Sequence, residues 1–154
     1  MIRIIIFLKM KIKEVMDKNI PLVYANEPIE KALKLLVSIP EAAIPIVDRS
    51  GKVVGELSRH ELLLLDIGDI EFHDEGVGFG EVKLLLAKKA KKVKDLMNKH
   101  EVTLSPDDNV LMAAKILYEE ELSTIPVIDS KKKLVGIITD ICILKHYKKI
   151  LQKK

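Results

Sequence analysis

The sequence predicts a mixed α/β (α+β) fold in which two β-α-β-β-α repeats pack sheet to sheet with pseudo-twofold symmetry. Three observations carry this expectation. "IKEVMDKN", from Ile12, returns 81 positions later as "VKDLMNKH", from Val93. The same offset, without a gap, lays "AAIPIVDRSGKVVGELS" on "STIPVIDSKKKLVGIIT", with Pro45 on Pro126, Asp48 on Asp129, Gly55 on Gly136 and Ser58 on Thr139. Register held across so many punctuating residues marks a duplicated unit. A half of this size is marginal alone, so the two halves are expected to share one core.

Each copy has the same internal order. A short turn ("KEVM", "KDLM") leads to a brief apolar strand ("PLVYA", "VTLSP"). An amphipathic helix follows, with Ile29, Ala32, Leu33, Leu35 and Leu36 on its apolar face in one copy and Val110, Ala113, Ala114, Ile116 and Leu117 in the other. Asn26 and the stretch Ser105 to Asp108 supply polar signals at the helix starts. Two β-branched strands come next, "AIPIVD" with "KVVGEL" and "TIPVID" with "KLVGII", joined by hairpin-type turns in which Asp48 and Asp129 are turn-formers. A second helix closes each copy, "RHELLLLD" and "DICILKHYKKIL". The expected organisation is an N-terminal arm or extra strand (1–10), a first repeat (11–66), a linker with a connecting helix (67–92), a second repeat (93–151) and a tail (152–154). "MKIKEVM" also reads as a natural beginning, which leaves Met10 as an alternative start.

Composition narrows the function classes. Lys and Arg number 26 against 23 Asp and Glu, a net +3 that leaves no concentrated basic face for duplex nucleic acid. Aromatic residues, at 4%, are too few to build a stacking platform for single strands. The opening "MIRIIIFL" falls short of the roughly 20 apolar residues of a membrane span. One cysteine, Cys142, excludes an internal disulfide framework and a cysteine-cluster zinc site, and it fits a reducing, cytoplasmic setting. "GVGFG" opens no helix after a clear strand and is rejected as a dinucleotide fingerprint. His73, Asp74 and Glu75 read as a solvated acidic loop rather than a metal site. No histidine and acid are placed to activate Cys142, so no catalytic residue and no metal is expected, and the chain is not expected to be an enzyme.

The chemistry concentrates in "GELSRHELLLL", Gly55 to Leu65, where a strand ends against an apolar helix. Ser58 and Glu61 stand three residues apart. That spacing makes a capping box, the hydroxyl capping the third amide and the carboxylate reaching back. An ionised carboxylate can also accept from both hydroxyls of a ribose diol. Both readings stay open on local sequence, and a helix N-terminus additionally favours phosphate.

The doubled h-P-h-h-D…G-h-h-[ST] pattern, in "AAIPIVDRSGKVVGELSRHE" and "STIPVIDSKKKLVGIITD", resembles a tandem pair of cystathionine β-synthase (CBS) domains, or Bateman module, from Lys11 to about Leu151. The resemblance implies a regulatory sensor of adenosine-containing ligands (AMP, ADP, ATP or S-adenosylmethionine), bound in clefts between two halves, with no required cofactor. It also implies a homodimer and a regulated protein partner. The family's ribose signature, G-h-x-[ST]-x-x-D, falls on Gly55, Ser58 and Glu61 in one copy and on Gly136, Thr139 and Cys142 in the other. Glu61 keeps the charge on a longer arm. Cys142 has no carboxylate, and Asp140 sits two residues too early. The family pattern groups Ser58 and Glu61 with Val102, Thr103, Ser123, Thr124 and Pro126; Arg59 and His60, next to the helix start, are candidates for neutralising phosphates, with a solvated surface cation and a plain helix-face residue as their alternatives. It groups Thr139 and Cys142 with Val23, Tyr24, Ala42, Ala43 and Pro45, a set poor in polar groups and expected to bind weakly or not at all. The alternative function, favoured by the damaged second signature, is a ligand-independent dimerisation or scaffold module for a partner protein.

Overall fold

The computed structural model describes residues 9–67, 89–99 and 102–152. Most of the expected N-terminal arm and linker, with "GVGFG", His73, Asp74 and Glu75, lies outside these residues. Among those described, five strands and four α-helices form an α+β architecture with two small sheets. Strands β1 (Val23–Tyr24), β2 (Ala43–Val47) and β3 (Val53–Ser58) make one sheet in the order β1-β2-β3, with helices α1 (Ile29–Leu36) and α2 (Arg59–Ile67). Strands β4 (Thr124–Ile128) and β5 (Leu134–Thr139) make the other, with helices α3 (Val110–Glu119) and α4 (Asp140–Gln152).

Backbone contacts divide the chain into two compact units that cut across the sequence repeats. Among the described residues, one unit comprises 22–49, 54–67 and 89–99; the second comprises 9–21, 50–53 and 102–152. The division arises because each repeat's opening turn docks on the other repeat's first helix. The 3-10 turn Val93–Asp95 joins the start of α1: Val93 N–H donates to Glu27 O at 2.9 Å and Lys94 N–H to Ala25 O at 2.9 Å, while Ile29 N–H donates to Lys91 O at 3.1 Å. The 3-10 turn Ile12–Glu14 does the same for α3, with Ile12 N–H to Asp108 O at 2.9 Å and Val110 N–H to Met10 O at 3.0 Å. These bonds satisfy groups that a helix start leaves without partners.

Each unit has its own core. Ile29, Ala32 and Leu36 of α1 pack with Ile44, Ile46, Leu57, Leu62, Val93 and Leu96. Val110, Ala113 and Leu117 of α3 pack with Ile12, Leu104, Ile125, Val127 and Ile138. The 3.6-residue period of the helices and the alternation of the strands meet there. Leu33, read as part of the apolar face, is exposed.

Three local expectations are corrected. The strand expected in "VTLSP" shrinks to a single parallel bridge, Leu104 to Val127, where its counterpart β1 pairs Val23 with Ile46 and Tyr24 with Val47. Pro106 has no N–H to continue a ladder, and the Asp108 carboxylate turns the chain by accepting Ser105 N–H at 2.7 Å. The helix caps are Pro28 and Asn109, not Asn26 or Ser105 to Asp108; Asn109 accepts Leu111 N–H at 2.7 Å. Asp129 is a turn-former as expected, accepting Lys131 N–H at 2.8 Å and Lys133 N–H at 2.9 Å.

Candidate functional site

The strand-to-helix joint Ser58–Glu61 forms in the first of these units. Ser58 ends β3 and α2 begins at Arg59. The Glu61 Oε2 atom accepts Ser58 N–H at 3.0 Å and the Ser58 hydroxyl. Ser58 Oγ in turn accepts His60 N–H at 3.1 Å and Glu61 N–H at 3.4 Å. The capping box is therefore built. Glu61 as a residue is only 8% exposed.

Burial by itself would raise the Glu61 carboxyl's pKa. Hydrogen bonds from the Ser58 hydroxyl, the Asn98 side chain and the amides of Ser58 and Glu61 outweigh it and hold the group below the ordinary carboxylate value. Glu61 is thus ionised at neutral pH. Asn98, which local reading of the sequence does not single out, is brought here by backbone pairing: Glu56 N–H donates to Asn98 O, and Asn98 N–H to Glu56 O, both at 2.9 Å. The approach is close. A Cβ on Gly55 would stand 2.5 Å from Asn98 O.

The helix start offers less to a phosphate than its sequence suggests. Arg59 N–H donates to Ala42 O at 3.0 Å, and the next two amides are taken by Ser58. The exposed Arg59 guanidinium donates to Pro40 O at 3.1 Å and His60 is also exposed, so both lie at the surface beside the joint. Of the residues grouped with Thr139, Ala42, Ala43, Pro45, Val23 and Tyr24 fall in the same unit as Ser58. Val23 is committed to the hydrophobic core, and Ala43 and Pro45 are buried in β2.

Val102, Thr103, Ser123, Thr124 and Pro126 belong to the other unit, together with Thr139 and Cys142. There Thr124 pairs with Thr139 across the β4–β5 ladder, and Pro126 with Ile137. The Thr139 hydroxyl donates to Cys142 Sγ at 3.2 Å and accepts Cys142 N–H at 3.1 Å, so this joint is capped without a carboxylate at position 142. Thr103 is exposed; Val102 and Ser123 are half-buried. A cavity of about 330 Å³ in this unit lies between α3 and α4, lined by Leu117, Tyr118, Ile143 and Leu144, and touches none of the expected ligand residues. Among the described residues, no group of three His, Cys, Asp or Glu is arranged to hold a metal ion, and no helix is long and apolar enough to cross a membrane.

Comparison with known proteins agrees with the duplicated α+β fold. The CBS domain family matches residues 12–68 and 93–149. CBSX1 of Arabidopsis thaliana, a chloroplastic CBS domain-containing protein, is 35% identical over 133 residues, which are 79% of this chain and 56% of that protein. The structure of CBSX2 in complex with AMP superposes with a TM-score of 0.75 at 28% identity, covering 92% of this chain and 98% of that one. The inosine-5'-monophosphate dehydrogenase of Methanocaldococcus jannaschii is 25% identical over 138 residues, 90% of this chain but 24% of the enzyme, so the same domains also occur within enzymes. The chain spans about half the length of the curated relatives it matches first. On both matched segments, the chain belongs to the CBS domain family and carries that domain as a tandem pair.

Proposed function

We propose that this chain is a regulatory module that binds an adenosine-containing ligand and senses nucleotide state. The observation that carries this reading is the ionised, hydrogen-bonded carboxylate of the largely buried residue Glu61 at the start of α2. A carboxylate offers about four acceptor positions, and a ribose hydroxyl can replace the Ser58 hydroxyl on Oε2. Arg59 supplies a neighbouring cation for a phosphate. The complex of the related CBSX2 with AMP supports adenosine as the class. The single thiol suits a reducing, cytoplasmic compartment.

A thermal-shift panel with AMP, ADP, ATP, S-adenosylmethionine and 5'-methylthioadenosine tests the class. Ligand at a hundred times its dissociation constant stabilises the native state by about 2.7 kcal/mol. Glu61→Gln tests the residue. Glutamine retains a capping box, so the fold survives, while loss of the charge weakens AMP binding by about 1.5–3 kcal/mol. Unchanged affinity in that variant returns Glu61 to a structural role, and no shift with any ligand overturns the reading.

A second reading, a ligand-independent homodimerisation or scaffold module, is favoured by a different observation. Tyr118 is 86% exposed on α3 and Leu144 is exposed on α4; Val37 and Leu63, 81 positions earlier in each case, are exposed as well. Apolar exposure repeated in both copies suits a protein contact. Sedimentation velocity of the wild type against Tyr118→Glu separates the cases, a monomeric wild type refuting it.

A further inference from the structure

The groove between α3 and α4 is apolar and faces water among the described residues. Ala114, Leu117, Tyr118 and Leu122 wall its cavity of about 330 Å³ on one side, Ile143 and Leu144 on the other. Tyr118 is 86% exposed and Leu144 58%. Exposed Leu111 stands three residues before Ala114 and seven before Tyr118. That spacing makes one apolar column from the start of α3 into the groove. Such a surface marks a contact site.

The chain's own N-terminal part runs towards this column. Ile12 N–H donates to Asp108 O at 2.9 Å, Lys11 bridges Asn109, and Met10 O accepts Val110 N–H at 3.0 Å. Going backwards from Ile12, each residue thus advances one place into α3. Met10 is buried with Val110, Ala113 and Leu117, and by the same count Lys9 falls level with Leu111. The eight residues before Lys9, "MIRIIIFL", lie outside the described residues; seven are apolar and Arg3 alone is charged. Eight residues span about 12 Å as a helix and at most about 29 Å extended, against about 10 Å from Leu111 to Tyr118. Charge agrees with the direction. Glu119, Glu120 and Glu121 crowd the C-terminal end of α3, where acids oppose the helix dipole, and Asp140 lies on the groove's rim. Lys115 serves Glu119 at 3.8 Å. A second cation arriving from the arm offsets the others.

We propose that "MIRIIIFL" covers this groove within its own chain, its isoleucines against Tyr118 and Leu144 and Arg3 at the acidic end of α3. While seated, the arm occupies the face that the scaffold reading would offer to a partner. The proposal is independent of the adenosine-ligand reading.

Differential scanning calorimetry of the full chain tests it with two variants. One combines Ile4→Ser, Ile5→Ser and Ile6→Ser; the other combines Tyr118→Ser and Leu144→Ser. Each lowers Tm by about 5 °C or more, since several apolar side chains lose their burial. All five changes together cost no more than about 2 °C beyond the larger of these effects, because both sets remove one contact. Tm is constant over a tenfold range of protein concentration, as a contact within one chain requires. If the isoleucine variant does not fold, Arg3→Glu replaces it in the same cycle. An unchanged Tm in the Tyr118 and Leu144 variant leaves those side chains in water and overturns the proposal. Fully additive losses overturn it too, since the arm then packs elsewhere. A Tm that rises with concentration assigns the groove to a second copy, which overturns the own-chain contact and favours the scaffold reading.

Discussion

Gly55→Ala perturbs the contact that brings Asn98 to the candidate site. A Cβ there would stand 2.5 Å from Asn98 O and 2.9 Å from Met97 Sδ. Real Cβ contacts essentially never fall under 3.0 Å, so the Asn98 backbone must retreat by about 0.5 Å. The two 2.9 Å bonds between Glu56 and Asn98 then stretch to about 3.4 Å, beyond the useful range for N–H···O. Two weakened backbone bonds at about 1 kcal/mol each, with overpacking of about 1–3 kcal/mol, give a loss of about 3–5 kcal/mol. For a chain of 154 residues that lowers Tm by about 6–20 °C. Urea unfolding followed by circular dichroism gives the free energy, and differential scanning calorimetry gives Tm. Gly136→Ala is the internal control. Its Cβ would meet the flexible Met16 Sδ at 2.8 Å but the Asp17 backbone O only at 2.9 Å, so it costs less than Gly55→Ala. A loss under about 0.5 kcal/mol for Gly55→Ala, or the reverse order of the two variants, refutes the close-approach argument.

Two further outcomes follow from local conformation and charge. Lys132 holds φ at +63° where Gly51, at the same place in the first copy's turn, holds +84°. Lys132→Gly therefore raises stability by about 0.5–1.5 kcal/mol in urea unfolding, and a loss would show that the lysine side chain contributes more than its backbone costs. Because the Glu61 carboxyl lies below its ordinary value of 4.5 when folded, folding is favoured by its ionisation. That stability is fully present above 4.5 and disappears as pH falls through the lowered folded value. Midpoints of urea unfolding across this acid range fall less steeply for Glu61→Gln than for the wild type; identical slopes would show that Glu61 is not held ionised by the fold.

Much of the local architecture was legible in the chain. Hydrophobic periodicity and the 81-residue register give the helices, the hairpin strands and the Asp129 turn, because these depend on neighbours in sequence. The capping box was legible for the same reason, since Ser58 and Glu61 are three residues apart. The helix caps were not. Asn26 resembles a cap chemically, but Pro28, with its fixed φ, stands at that position, and the adjoining backbone is satisfied by the 89–99 segment instead.

By itself the sequence determined that one unit is written twice and what each unit contains, since periodicity and spacing are encoded residue by residue. Only the tertiary structure decided which opening turn serves which helix. "KEVM" and "KDLM" offer nearly the same amides and carbonyls, so either could satisfy either helix start. The path of the whole chain selects between them, and through that selection Asn98 comes to Glu61. The polar partners of the candidate site are consequences of long-range backbone pairing, which no local pattern of side chains records.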